Sequence, residues 1–132
     1  MSYGKFDLVH FNNGLHGWEY TEDEYDAAFP DMIKAIRKNA PNAKLIWATT
    51  TPIRTGKYYE RLEERVARIV TRNEIAQKHI SKAKDIKTND LFNLILDHPE
   101  YFIGGDGVHP IDKGYQVLAE QVAKKILESL SE

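Results

Sequence analysis

No cysteine occurs among the 132 residues. That excludes a disulfide scaffold and a thiolate metal site, though it does not fix the compartment. Long hydrophobic runs are missing as well. None approaches the roughly 20 residues that span a bilayer, so no membrane partner is expected. There is no excess of positive charge: 18 basic residues face 20 acidic ones, a formal net charge of −2. No basic field points to nucleic acid. Internal repeats, low-complexity tracts and Pro/Gly/Ser linkers are absent. Met1 to Lys5 shows no signal-peptide pattern, and localisation stays open. What is present is ordinary globular material, 42% hydrophobic and 29% charged, which argues against disorder. The length suits one domain with one core, residues 1–132.

The pattern along the chain alternates strand and helix. Phe6 to Asn12 is a short apolar run ending near Gly14 and reads as a mostly buried strand. Thr21-Glu-Asp-Glu24 is a capping-box pattern. It predicts a helix to about Asn39 with Ala28, Met32, Ala35 and Ile36 inside, stopped by Pro41. Lys44 to Thr50 predicts a second strand, closed by Pro52. A long helix is expected over about Tyr59 to Ser81, because Leu62, Val66, Ile69, Val70, Asn73, Ala76 and Ile80 fall on one face. Asp85 to Leu91 is a weaker third strand, and Phe92 to Leu96 a short turn of helix. In the last helix, Tyr115, Leu118, Ala119, Val122, Ala123, Ile126, Leu127 and Leu130 form one stripe, opposite Glu120, Gln121, Lys124 and Lys125. This order implies an α/β fold, a parallel sheet with right-handed crossovers and helices on both faces. Three strands make a thin parallel sheet, so the expectation is that strands are missing at the N-terminal side.

Ligands of open α/β sheets bind beyond the carboxyl ends of the strands. Here those ends are Asn12 to Trp18, Thr49 to Arg54 and the stretch after Leu91. The richest segment is Gly104-Gly-Asp106-Gly-Val-His109-Pro110, followed by Asp112-Lys-Gly-Tyr115. Glycines suit a sharply turning loop. An Asp three residues before a His can bring its carboxylate to one ring nitrogen and leave the other free to take a proton. The bland alternative is a surface loop in which Asp112 caps the last helix and His109 is incidental. His10, inside the first strand, reads as a buried or helix-covered histidine. A metal site from His10, His16, Asp106 and His109 lacks a close ligand pair to support it. Arg54, Lys57, Tyr58 and Tyr59 follow the second strand, as a cleft lining or a solvated loop. Trp47 reads as core, Trp18 as a cleft wall, and Glu60 to Arg68 as an exposed helix face.

Asp-Gly-Val-His-Pro, then Lys-Gly-Tyr and an amphipathic helix, resembles the final block of the SGNH (GDSL-like) hydrolases. Asp7-Leu-Val-His-Phe-Asn-Asn-Gly14-Leu-His16-Gly17 is similar to the family's third block, and Thr49-Thr-Thr-Pro52 to the turn after its next strand. Asn73, Ala76 and Asn89-Asp-Leu-Phe92 continue the likeness. The resemblance implies a three-layer, flavodoxin-like fold that lacks its first strands. It also implies a Ser-His-Asp triad in which Asp106 orients His109 as general base and then acid. The family's Gly-Asp-Ser block, source of the nucleophile, is absent, and so is the second block. Ser2 precedes Tyr-Gly and lacks the motif; the other serines are Ser81, Ser129 and Ser131. His16 stands where the family's oxyanion Asn aligns and is the replacement donor expected from the resemblance. Asn12 and Asn13 are further possible donors, or simply satisfy backbone groups at a strand end.

Two readings follow. One is an SGNH-type ester hydrolase acting on a carboxylic ester or an acetylated carbohydrate. It needs no cofactor, and this chain carries its Asp and His without its nucleophile. The other is a non-catalytic binding or interaction module that keeps the fold. In either, the strand Phe6 to Asn12 is expected to expose an edge with Leu8, Val9 and Phe11 beside it. A homo-oligomer or a complementing N-terminal segment would cover it.

Overall fold

A computed structural model describes residues 4–54 and 62–132. The expected helix start at Tyr59, the candidates Lys57 and Tyr58, and Ser2 lie outside the described residues. The elements are β1 (Leu8–Phe11), α1 (Glu22–Asn39), β2 (Lys44–Ala48), α2 (Leu62–Lys82), β3 (Ile86–Asn89), α3 (Leu91–Leu96), a 3-10 turn (Pro99–Phe102) and α4 (Asp112–Leu130). The 3-10 turn was not expected from the sequence. β1 pairs with β2 and β2 with β3, all parallel, in the order β1-β2-β3. This is the expected α/β architecture, a parallel sheet between helical layers. The strands are shorter than their apolar runs. Asn12 and Thr50 bend away to make side-chain bonds instead of ladder bonds, while the Thr49 amide still donates to the Asn89 carbonyl at 3.0 Å.

Strand alternation sorts the core into two faces. The register places Val9 beside Leu45 and Phe11 beside Trp47, and Ile86 beside Leu45. These residues pack against Phe29, Ala76 and Ile80 of α1 and α2. Trp47 is fully buried, as its mid-strand position implied. Burial of side chains this size contributes about 1.5–3 kcal/mol each. The opposite face presents His10, Ile46, Ala48 and Asn89, and α4 packs over its β1–β2 half. α3, the 3-10 turn and α4 share a smaller core of Ile95, Tyr101 and Phe102 with Leu94, Val117 and Leu118.

Helix starts and faces were only partly as expected. Thr21 caps α1 with both arms of the capping box in place. Of the expected inner face of α1, Met32 and Ile36 pack on the core, whereas Ala28 and Ala35 are exposed. Tyr25, Phe29 and Ile33 complete that face. The larger side chains reach the core. Val70 lies at the surface of α2. In α4 the expected stripe is largely uncovered: Tyr115, Leu127 and Leu130 are exposed. The helix touches the sheet through its other side, where Gln121 bonds Asn89 and Lys44 bonds the Ser129 carbonyl.

Candidate active site

The loop Ile103 to Ile111 joins the 3-10 turn to α4. Gly104 and Gly107 take φ of +83° and +79°, a region open to glycine at little cost. Between them lies Asp106. Its Oδ1 accepts the backbone N–H of Val108 at 2.9 Å and of His109 at 2.8 Å. Its Oδ2 lies 2.6 Å from His109 Nδ1. One carboxylate therefore shapes the loop and orients the ring. The backbone N–H of His109, then its ring, then the N–H of Val108 hold the Asp106 carboxyl down at about 2. A carboxylate at Nδ1 selects the tautomer with the proton there. Nε2 is left as an acceptor with no protein partner among the described residues, and the His109 side chain is 69% exposed.

Two further contacts fix this loop. The Arg54 amide donates to the Gly107 carbonyl at 2.7 Å, so the turn after β2 holds the turn before α4. The Ile111 amide donates to the Tyr101 carbonyl at 2.6 Å. Gly114 explains the glycine of Lys-Gly-Tyr: a Cβ there would meet Pro110 and Tyr101 carbons at 2.7 and 2.8 Å. Asp112 is not the helix cap. Ile111 holds that position without a side-chain bond, and Asp112 sits in the first turn.

His16 lies in the loop after β1, exposed to solvent. With Asn12, Asn13, Tyr20, Tyr25 and Arg72 it lines a cavity of about 580 Å³. Neither Asp106 nor His109 lines that cavity, and no hydrogen bond joins His16 to either residue. The structure thus brings Asp106 and His109 together and places His16 in the separate loop after β1. Asn12 is a strand-end tie: its Nδ2 donates to the Ala48 carbonyl at 2.7 Å and to Thr50 Oγ1 at 3.1 Å. Asn13 contributes its carbonyl to the Tyr25 hydroxyl. His10 is half-buried, and burial pushes its pKa down. Its Nε2 accepts from Asn89, whose Oδ1 accepts from Gln121. Arg54 borders a second cavity of about 620 Å³ with Ile53, Val66, Phe102 and Ile103. Its guanidinium is tied to the Ile95 and Leu96 carbonyls.

The charge-rich start of α2 is not simply a solvated face. Arg68 donates to the Trp18 and Tyr20 carbonyls at 2.9 and 2.7 Å and to Glu22 at 2.7 Å. Arg72, one turn on, is buried against the same loop. The available signal was its position, three residues after Ile69 and four before Ala76, on the apolar face. Trp18 is less a cleft wall than a cover for these cations, its ring 4.9 Å from Arg68 and 5.3 Å from Arg72. Asn73 was expected on the inner face. It clamps Thr50, accepting its N–H at 2.8 Å and donating to its carbonyl at 2.9 Å.

The family described as GDSL-like Lipase/Acylhydrolase matches residues 3–122. The chain belongs to that family. Solved structures carry the same fold. An inferred acylhydrolase of Bacteroides fragilis is 24% identical, with a TM-score of 0.75 over 94% of this chain and 62% of its own. A GDSL-like lipase of Bacteroides thetaiotaomicron is 21% identical, with a TM-score of 0.71 over 93% and 63%. A carbohydrate esterase family 3 protein of Talaromyces cellulolyticus is 21% identical, with a TM-score of 0.72 over 95% and 59%. This GDSL-like chain thus spans about three-fifths of the length of the solved structures it matches. No curated protein matches it.

Proposed function

We propose that this single domain carries the acid–base half of a serine ester hydrolase. The observation that carries the reading is the 2.6 Å contact from Asp106 Oδ2 to His109 Nδ1, with Nε2 turned free. In this reading a serine hydroxyl gives its proton to His109 Nε2 as its oxygen attacks the ester carbonyl. The tetrahedral oxyanion is stabilised by His16, and His109 then protonates the leaving alcohol. Water repeats the cycle on the acyl-enzyme. The substrate is a small carboxylic ester or an acetylated carbohydrate; one solved relative is described as a carbohydrate esterase.

The serine comes from a segment that adds a strand to the outer edge of β1. Two observations support that placement. β1 has a strand on one side only among the described residues. α4, on the same side of the sheet as His10, leaves Tyr115, Leu127 and Leu130 exposed.

A chromogenic acyl ester and a serine-directed fluorophosphonate test the proposal. The chain alone is expected to take no label and to hydrolyse the ester no faster than His109→Ala. With a polypeptide bearing a Gly-Asp-Ser strand and helix, turnover is expected to appear and to vanish in His109→Ala. Turnover that survives His109→Ala in that mixture would remove the base from the mechanism. A bound ester with no turnover in any mixture would favour a binding module.

A further inference from the structure

We propose that Arg72 is the positioning residue for the loop that carries His16, the donor side of the ester site; the inference rests on the reading above. Arg72 lies on the inner face of α2 and its side chain is 2% exposed. A buried cation is costly unless every donor finds a partner. A guanidinium has five N–H donors, and here five acceptors surround it. Nε faces Glu22 at 3.2 Å. Nη1 reaches the carbonyls of Gly14 at 3.4 Å and His16 at 3.3 Å. Nη2 reaches those of Gly17 at 3.1 Å and Tyr20 at 2.8 Å. The rings of Trp18 and Tyr25 lie 5.3 and 5.2 Å from its central carbon.

Four of those five acceptors are backbone carbonyls of one irregular loop. The segment between β1 and α1 makes a single internal backbone bond, Tyr20 N–H to Gly17 carbonyl at 3.2 Å. Carbonyls turned toward a buried group need donors, and of these four the loop's own amides meet only that of Gly17. Its path is therefore dictated by the plane of the guanidinium, with the His16 carbonyl among the bound groups. Arg68 holds the far end through Trp18 and Tyr20. Glu22 bridges both arginines: burial raises its pKa, but the bonds from Arg68 and Arg72 outweigh this and lower it. Lysine cannot replace Arg72, because a three-donor point charge does not span four carbonyls. A donor to an oxyanion works only within hydrogen-bond reach of where charge develops. The arginine acts through that distance and touches no substrate.

Amide hydrogen exchange and the ring NMR signals of His16, measured on the purified chain, test the assignment. In Arg72→Ala the Tyr20 amide, bonded to the Gly17 carbonyl, is expected to exchange about tenfold faster or more, and the carbonyl carbon signals of Gly14, His16 and Gly17 to shift, with Leu45 to Ala48 still protected. Millimolar guanidinium ion should restore both the loop and the His16 signals, and methylammonium should not. Arg72→Lys, the milder variant should Arg72→Ala fail to fold, is expected to leave the loop loose. Arg68→Ala should loosen Trp18 to Tyr20 and leave His16 unchanged. Loss of protection in β2 to the same extent, or a Lys variant equal to wild type, would overturn the proposal. None of these readouts needs turnover, so a clamped loop in a chain that stays inert even with a Gly-Asp-Ser-bearing polypeptide would sink the hydrolase reading alone. In a mixture that hydrolyses ester, Arg72→Lys should lower kcat on the order of a hundredfold with KM unchanged. A rise in KM alone would overturn the positioning role.

Discussion

At the scale of the residue, Asp106 divides its carboxylate between two tasks, Oδ1 for the loop amides and Oδ2 for the His109 ring. The consequence is a carboxyl held at about 2 against an ordinary 3.8. A depressed carboxyl contributes stability above its ordinary value and loses it as pH falls through the folded one. Carboxyl NMR should therefore show Asp106 charged at pH 3, with a midpoint near 2. A midpoint in the ordinary aspartate range would mean that the three contacts do not persist in solution. Asp106→Asn separates the two tasks. Its carbonyl oxygen can still accept from Val108 and His109, but an amide at Nδ1 selects the wrong tautomer. Hydrolysis in the complemented enzyme should fall about 10⁴-fold with the fold intact. The Asp-x-x-His spacing made this pair legible. The second use of the carboxylate was not, because backbone amides carry no letter in a sequence.

Elements register the same division. The capping box of α1 was readable from four residues, and Thr21 accepts the Glu24 amide as expected. Thr21→Ala should cost about 1 kcal/mol in a denaturant titration; an unchanged midpoint would show that packing on Phe29, not the cap, starts the helix. Gly14 was readable as a turn but not as a close approach. Its φ is +153°, and an added Cβ would lie 2.5 Å from Thr50 Oγ1. Gly14→Ala is expected to destabilise by about 1–3 kcal/mol from the backbone alone. It should also shift the Thr50 signals, since Thr50 is bonded to Asn12 and Asn73. α2 and α4 show where periodicity misleads. Arg72 stands on an apolar face and is buried by bonds to a loop 50 and more residues away. Leu127 and Tyr115 complete an apolar stripe and are left outside.

For the molecule as a whole, the exposed parts of α4 and the single-sided pairing of β1 belong to one question. A strand edge offers unpaired N–H and C=O groups to any chain that can extend the sheet, and an apolar helix beside it adds area to hide. We expect the purified chain to associate, either with itself about a two-fold axis through β1 or with a strand-bearing segment that completes the sheet. Sedimentation velocity separates the cases: self-association grows with concentration, and a complementing segment shifts the boundary to a one-to-one complex. Lys or Glu at Leu127 should weaken whichever contact forms. A monomer at all concentrations, with slow exchange along β1, would count against an uncovered edge.

The sequence by itself determined the alternation of strand and helix, the cap of α1 and the Asp106–His109 pair, because each depends on residues within one turn or one strand of each other, and the parallel sheet followed from that alternation. Family membership was legible for the same reason, from the contiguous block around Asp-Gly-Val-His-Pro. Only the tertiary structure decided which stripe of α4 is covered, which face of α1 meets Trp47, and what holds the His16 loop. Those outcomes rest on guanidinium and carbonyl groups, or on opposing side chains, brought together from distant parts of the chain. Periodicity reports that a face is apolar, but what lies against that face is set by the packing of the other elements.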